Sequence, residues 1–169
     1  MNRTSTLIIG LLATTCVAGV SGFAVGHLLA SEGSDTPTPY LEPVVGATLL
    51  DGLGDYRFEV TTDHPEVQRW FDQGLMLTWG FNHDAAERSF LRATELDPAC
   101  AMCWWGAALV LGPHVNAAMD PEYNQRAWRR LQRARALAGD ATPREQAFIE
   151  ALGARYAEDP PEDRRPLEQ

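Results

Sequence analysis

Lysine is missing from all 169 residues, so every one of the 14 basic side chains is arginine. That bias points to a GC-rich genome rather than to a mechanism. Positive charge is in any case short, because 23 acidic side chains leave a formal net charge of −9. Affinity for a phosphate backbone rests on Lys and Arg neutralising it, so no nucleic-acid partner is expected. Cysteine is scarce too. Cys16, Cys100 and Cys103 cannot make the even, dense framework of a disulfide-rich protein. Neither a phosphate-cradling glycine loop nor a nucleophile–base set is visible, so no enzymatic activity and no cofactor is expected. What is present is ordinary, with 45% hydrophobic and 22% charged residues, and suits one globular domain.

The first thirty residues stand apart. Arg3 is their only charge, and Leu7 to Ala30 is apolar except at Thr14, Thr15, Ser21 and His27. A cleaved signal has an apolar core of roughly 7–15 residues, whereas a spanning helix needs about 20. Residues 7–29 are therefore read as a membrane anchor, with cleavage near Ala30 as the alternative. The positive start, and Glu32 and Asp35 just beyond the run, put the rest of the chain outside the cytoplasm. Ala13-Thr14-Thr15 before Cys16 lacks a lipoprotein pattern. Residues 31–62 form a polar, Pro-bearing tether and an extended arm, in which Tyr56, Phe58 and Val60 alternate with Arg57, Glu59 and Thr61.

From residue 63 the punctuation is helical. Asp63-His64-Pro65 opens a first helix ending at Trp79, and Asn82-His83-Asp84 leads into a second over Ala85–Leu96. Asp97-Pro98 closes that one, and a third runs from about Ala99 to Leu111 before Gly112-Pro113. Asp120-Pro121 starts a fourth, stopped near Gly139. Thr142-Pro143 with Glu145 is a capping box for a fifth, ending near Tyr156. Residues 63–157 are thus an all-α domain, and 158–169 a flexible tail.

Trp70, Phe71 and Leu77 recur 34 residues later as Trp104, Trp105 and Leu111. With Gly74, Ala86, Phe90, Ala93 and Pro98, this spacing resembles the tetratricopeptide repeat. Gln73 and Leu77 depart from the usual Leu and Tyr of that signature. Further residues, Phe81 to Asp84, Cys100 to Met102 and Gly112-Pro113, resemble exported bacterial tetratricopeptide proteins of unassigned function. The resemblance implies an antiparallel helix-pair solenoid of about two and a half repeats in a bacterial, periplasmic setting, anchored in the inner membrane. Roughly three repeats make a stable stack, so either the last helix is a polar-faced cap or the chain is truncated.

The same resemblance implies a concave groove formed by the first helices, lined by Gln68, Phe71 and Leu75 and by Met102, Trp105 and Leu109. Such apolar surface suits an extended or helical peptide, unless the Tyr56-Phe58-Val60 arm or a missing repeat covers it. A protein- or peptide-binding scaffold is the first functional expectation.

A metal-binding or thiol-redox module is the alternative. His83 and Asp84 on one turn and His114 on the next, with Asn82 and Asn116, could meet over one metal ion or ligand. Plain helix capping with exposed histidines is the competing account. Cys100 and Cys103 are either small buried residues at a tight turn or a disulfide formed outside the cytoplasm. A joint Cys–His metal site is excluded because helix three separates the two pairs by roughly 18 Å. Arg126, Arg129, Arg130 and Arg133 make one stripe, suited to an acidic peptide or lipid phosphates, or else salt-bridged to acidic neighbours.

Overall fold

The computed structural model describes residues 46–167, all within one compact unit, Thr36–Gln169. The apolar run 7–29 and Cys16 lie outside the described residues. Among those described, no helix is long and apolar enough to cross a membrane.

Among the described residues, five α-helices carry the fold: α1 (Pro65–Trp79), α2 (His83–Leu96), α3 (Ala101–Leu109), α4 (Pro121–Leu137) and α5 (Pro143–Gly153). Their starts follow local chemistry. Asp120 accepts the Glu122 amide at 2.9 Å, and Thr142 and Glu145 form the reciprocal capping box. At α1 the cap position is His64 rather than Asp63, and no side chain bonds there. Asn82 likewise caps α2 without a side-chain bond. Helix α5 ends earlier than expected. The chain turns so that buried Tyr156 can donate its hydroxyl to the Ala108 carbonyl at 2.8 Å, tying the segment after α5 to α3.

Consecutive helices pair, α1 on α2 and α3 on α4, with α2 also packing on α3. Phe90 joins the two pairs. It is fully buried, and glycines on both flanking helices make room for it. A Cβ at Gly74 would come within 2.6 Å of its ring, and one at Gly106 closer still. Trp70, Phe71 and Leu77, and their counterparts Trp104, Trp105 and Leu111, are all buried.

The Cys100 and Cys103 sulfurs are bonded to each other at the start of α3, both essentially inaccessible. The stretch after Glu158, expected as a flexible tail, is held down over its described part. Arg164 donates to the Asn124 side chain and the Arg155 carbonyl at 3.1 and 3.0 Å.

Candidate functional sites

The expected groove is present as a surface of helices but is not open. Phe71 is fully buried, Gln68, Leu75, Met102 and Trp105 are buried, and only Leu109 keeps part of its surface. Two pieces of the chain itself close it. Helix α5 covers Trp105, whose indole N–H donates to the Phe148 carbonyl at 3.0 Å while its ring meets that of Phe148 edge-on at 5.7 Å. The arm covers α1, burying Phe58 and Val60 and leaving Tyr56 and Glu59 exposed. Of the two expectations for the surface lined by Gln68, Phe71, Leu75, Met102, Trp105 and Leu109, open or covered by the Tyr56-Phe58-Val60 arm, the described residues have it covered in cis, with the alternating apolar residues Phe58 and Val60 turned inward.

The arm is held largely through its backbone. Gln68 donates to the Phe58 carbonyl at 2.8 Å and accepts the Val60 amide at 3.1 Å. Gln73 does the same further along, donating to Thr48 at 2.9 Å and accepting from Leu50 at 2.7 Å. Each glutamine thus satisfies a carbonyl and an amide two residues apart, the spacing at which an extended chain presents them to one side. Asp72 accepts the Phe58 amide at 3.0 Å. Its carboxyl lies above the usual range because burial outweighs that bond, the Gln68 bond and the nearby Arg57 charge.

At the end of the arm stands Glu145, 2% exposed. It accepts the amide and hydroxyl of Thr61 at 2.7 and 2.6 Å, and the amide and hydroxyl of Thr142 at 2.7 Å each. Burial pushes the carboxyl up, but the four donors prevail and hold it below its ordinary value. Sequence reasoning assigns Glu145 only to a capping box. It misses Gln73, Asp72, Arg144 and Phe148 as arm contacts. The available signal was polar side chains, Gln68 and Gln73, within the inward-facing stripe of α1: a buried amide needs partners.

The turn edge is different in kind. His83 opens α2, and His114 sits in a tight turn bridged to Ala117. Their rings are perpendicular, with centroids 4.4 Å apart. The expected meeting of the two turns therefore occurs, but Asp84 remains exposed. No group of three or more His, Cys, Asp or Glu among the described residues is arranged to hold a metal ion. His83 is pushed below its ordinary value by burial and then by His114, against the Thr78 backbone and Asp84. His114 Nδ1 accepts the Asn116 amide at 3.3 Å, which puts the proton of the neutral ring on Nε2.

Around the pair lie Trp79, Phe81 and Val115, exposed by 65%, 55% and 87%, on a cleft of about 260 Å³. Phe81 has φ +59°. Its amide bonds Thr78 and the next amide bonds Leu77, so it holds the left-handed position of a helix-terminating motif that normally takes glycine. Its ring is 6.1 Å from each imidazole. The arginine stripe is partly spoken for: Arg126 and buried Arg130 both bond Glu87, and Arg130 also bonds the Ala107 carbonyl at 3.0 Å.

Comparison with protein-family models, curated proteins and solved structures yields no match to this chain.

Proposed function

We propose that the chain is an extracytoplasmic tetratricopeptide-type scaffold, tethered to a bacterial inner membrane through residues 7–29, that holds an extended polypeptide segment against α1 and α5. Residues 48–61 are its resident occupant, and a partner segment binds by replacing them. One observation carries this reading: Gln68 and Gln73 each take an amide and a carbonyl from a short extended stretch of the arm, residues 58–60 and 48–50, on either side of a bend at left-handed Gly52 and Gly54, a form of recognition any short extended polypeptide can satisfy. The 34-residue offset between equivalent buried residues favours the repeat assignment, and the Cys100–Cys103 bond favours an oxidising compartment. The arm's exchangeability rests on how little it buries. Phe58 and Val60 are its only buried core side chains, together about 3–6 kcal/mol of apolar burial, while Ala47, Leu49 and Leu53 pack only partly against the core, so opening of the arm is a local event.

The test uses the full chain in mild detergent and a fluorescent peptide of residues 46–62. Wild-type chain should bind it weakly, because its own arm competes. A Phe58→Ala/Val60→Ala chain, with its arm loosened, should bind at least tenfold tighter. No binding by a double variant that keeps its helical circular dichroism would overturn the proposal.

A second reading is favoured by the 4.4 Å separation of His83 and His114: the turn edge takes a copper or zinc ion, both of which accept imidazole ligands. His114 would give up its bond from Asn116 to ligate. Titration with zinc or copper(I), followed by Trp79 fluorescence and histidine NMR, should show a one-to-one transition lost in His83→Ala. A flat titration removes this reading.

A further inference from the structure

The two glutamines read any extended backbone, yet the groove around Phe58 to Thr61 is not indifferent to side chains. We infer that it selects segments of the pattern aromatic, any residue, β-branched apolar, hydroxyl, the pattern the resident arm carries as Phe58-Glu59-Val60-Thr61; this rests on the groove reading above.

The first position is a slot between three groups. The Phe58 ring lies 6.0 Å from that of Phe71 and meets Phe148 edge-on at 5.3 Å. The Arg144 guanidinium sits 4.1 Å from its centroid. A cation over a ring face rewards an electron-rich π system, so an aliphatic side chain of similar bulk gives up both the edge-on contacts and the cation. The second position, Glu59, is solvent-exposed and imposes nothing. At the third, Val60 is 9% exposed while its amide is fixed on Gln68. The side chain there must be apolar, and branching at Cβ favours the extended backbone the glutamine requires.

The fourth position is the most selective in kind. Glu145 takes both the amide and the hydroxyl of Thr61, one on each carboxylate oxygen. The carboxylate is fixed independently of the arm, since Thr142 in its own helix cap holds it with two bonds. A segment with Val in place of Thr keeps the shape and loses a bond to a buried charge, one of the stronger kinds. Serine keeps the bond. An acidic residue places like charge against Glu145.

The experiment measures competition against the labelled 46–62 peptide on the full-length Phe58→Ala/Val60→Ala chain. Peptides differ from the resident sequence at one position. Replacing the phenylalanine by leucine should weaken binding about tenfold, and by pentafluorophenylalanine, whose ring face is electron-poor, by several-fold. Replacing the threonine by valine should weaken it about tenfold and by serine less than twofold. Exchanging Glu59 for Gln should change nothing. Equal binding of all peptides would leave the groove reading standing and overturn the selectivity. If none binds, the groove reading falls and the selectivity with it. Should the double variant fail to fold, hydrogen exchange at residues 58–61 supplies the ranking in cis. Thr61→Val should speed exchange about tenfold and Thr61→Ser hardly at all; equal effects would overturn the selectivity.

Discussion

The groove and the turn edge are both apolar, yet among the described residues one is filled and the other stays exposed. Over α1 and α5, four polar side chains, Gln68, Asp72, Gln73 and Glu145, give an incoming strand places for its amides and carbonyls. An extended segment can enter that surface without stranding buried polar groups. At the edge, Trp79, Phe81 and Val115 offer rings and methyls with no comparable row of backbone partners. Apolar area alone does not decide what is covered. The polar groups set within it do.

Stability measurements in urea are the strongest way to break this contrast. Phe71→Ala on the groove floor should cost about 3–5 kcal/mol, as for a fully buried aromatic. Trp79→Ala at the edge should stay within about 0.5 kcal/mol. Similar costs would mean that Trp79 is part of the core after all.

Next in size is Glu145→Gln, expected to lose about 1–3 kcal/mol by weakening bonds to both the arm and the helix cap, with faster proteolysis before residue 62. The pH dependence has a definite sign. Because the folded carboxyl sits below the ordinary 4.5, its contribution is complete above that value and is lost as pH falls through the lower folded value. Asp72, raised chiefly by burial, works the other way: the cost of its charge disappears as pH falls. Glu145→Gln should therefore flatten the acid loss of stability, and an unchanged acid limb would remove Glu145 as the anchor.

A smaller effect of opposite direction is expected at the edge. Phe81→Gly should raise stability by about 0.5–1 kcal/mol, since glycine takes the left-handed position freely and the ring it removes is mostly exposed. A loss instead would show that the ring supports the His83–His114 pair. The smallest effect is a titration. His83 should titrate below 6.5, and His114→Ala should move it upward by removing a like charge. With its folded value depressed, His83 costs stability as pH drops through 6.5 towards that value. A His83 resonance unmoved by the substitution would separate the two rings electrically.

The all-α character was legible because Pro at first helical positions, Asp120 and the Thr142–Glu145 box are local signals, and the helices begin within a residue or two of them. The 34-residue offset likewise marked which aromatics are buried. The filling of the groove was not legible. Gln68 read as a lining residue and Gln73 as a departure from a repeat signature, because the partners that explain them are 8 to 25 residues away in the arm. Glu145 had a sufficient local explanation, which concealed a partner 84 residues away. The two histidines were correctly brought to neighbouring turns, since helix lengths fix which turns share an end. The exposure of Trp79 and Phe81 beside them depends on how α1 terminates, a backbone property that the residue types disguise.

Phe90 has a consequence for how the two helix pairs come apart. In an ideal solenoid each helix pair touches only its neighbours and can fray from an end. Here a single ring occupies space vacated by glycines in both pairs. Peeling away either pair would expose the ring, so neither end is a spare unit. The two helix pairs should lose order in one cooperative step, behaving as one indivisible block.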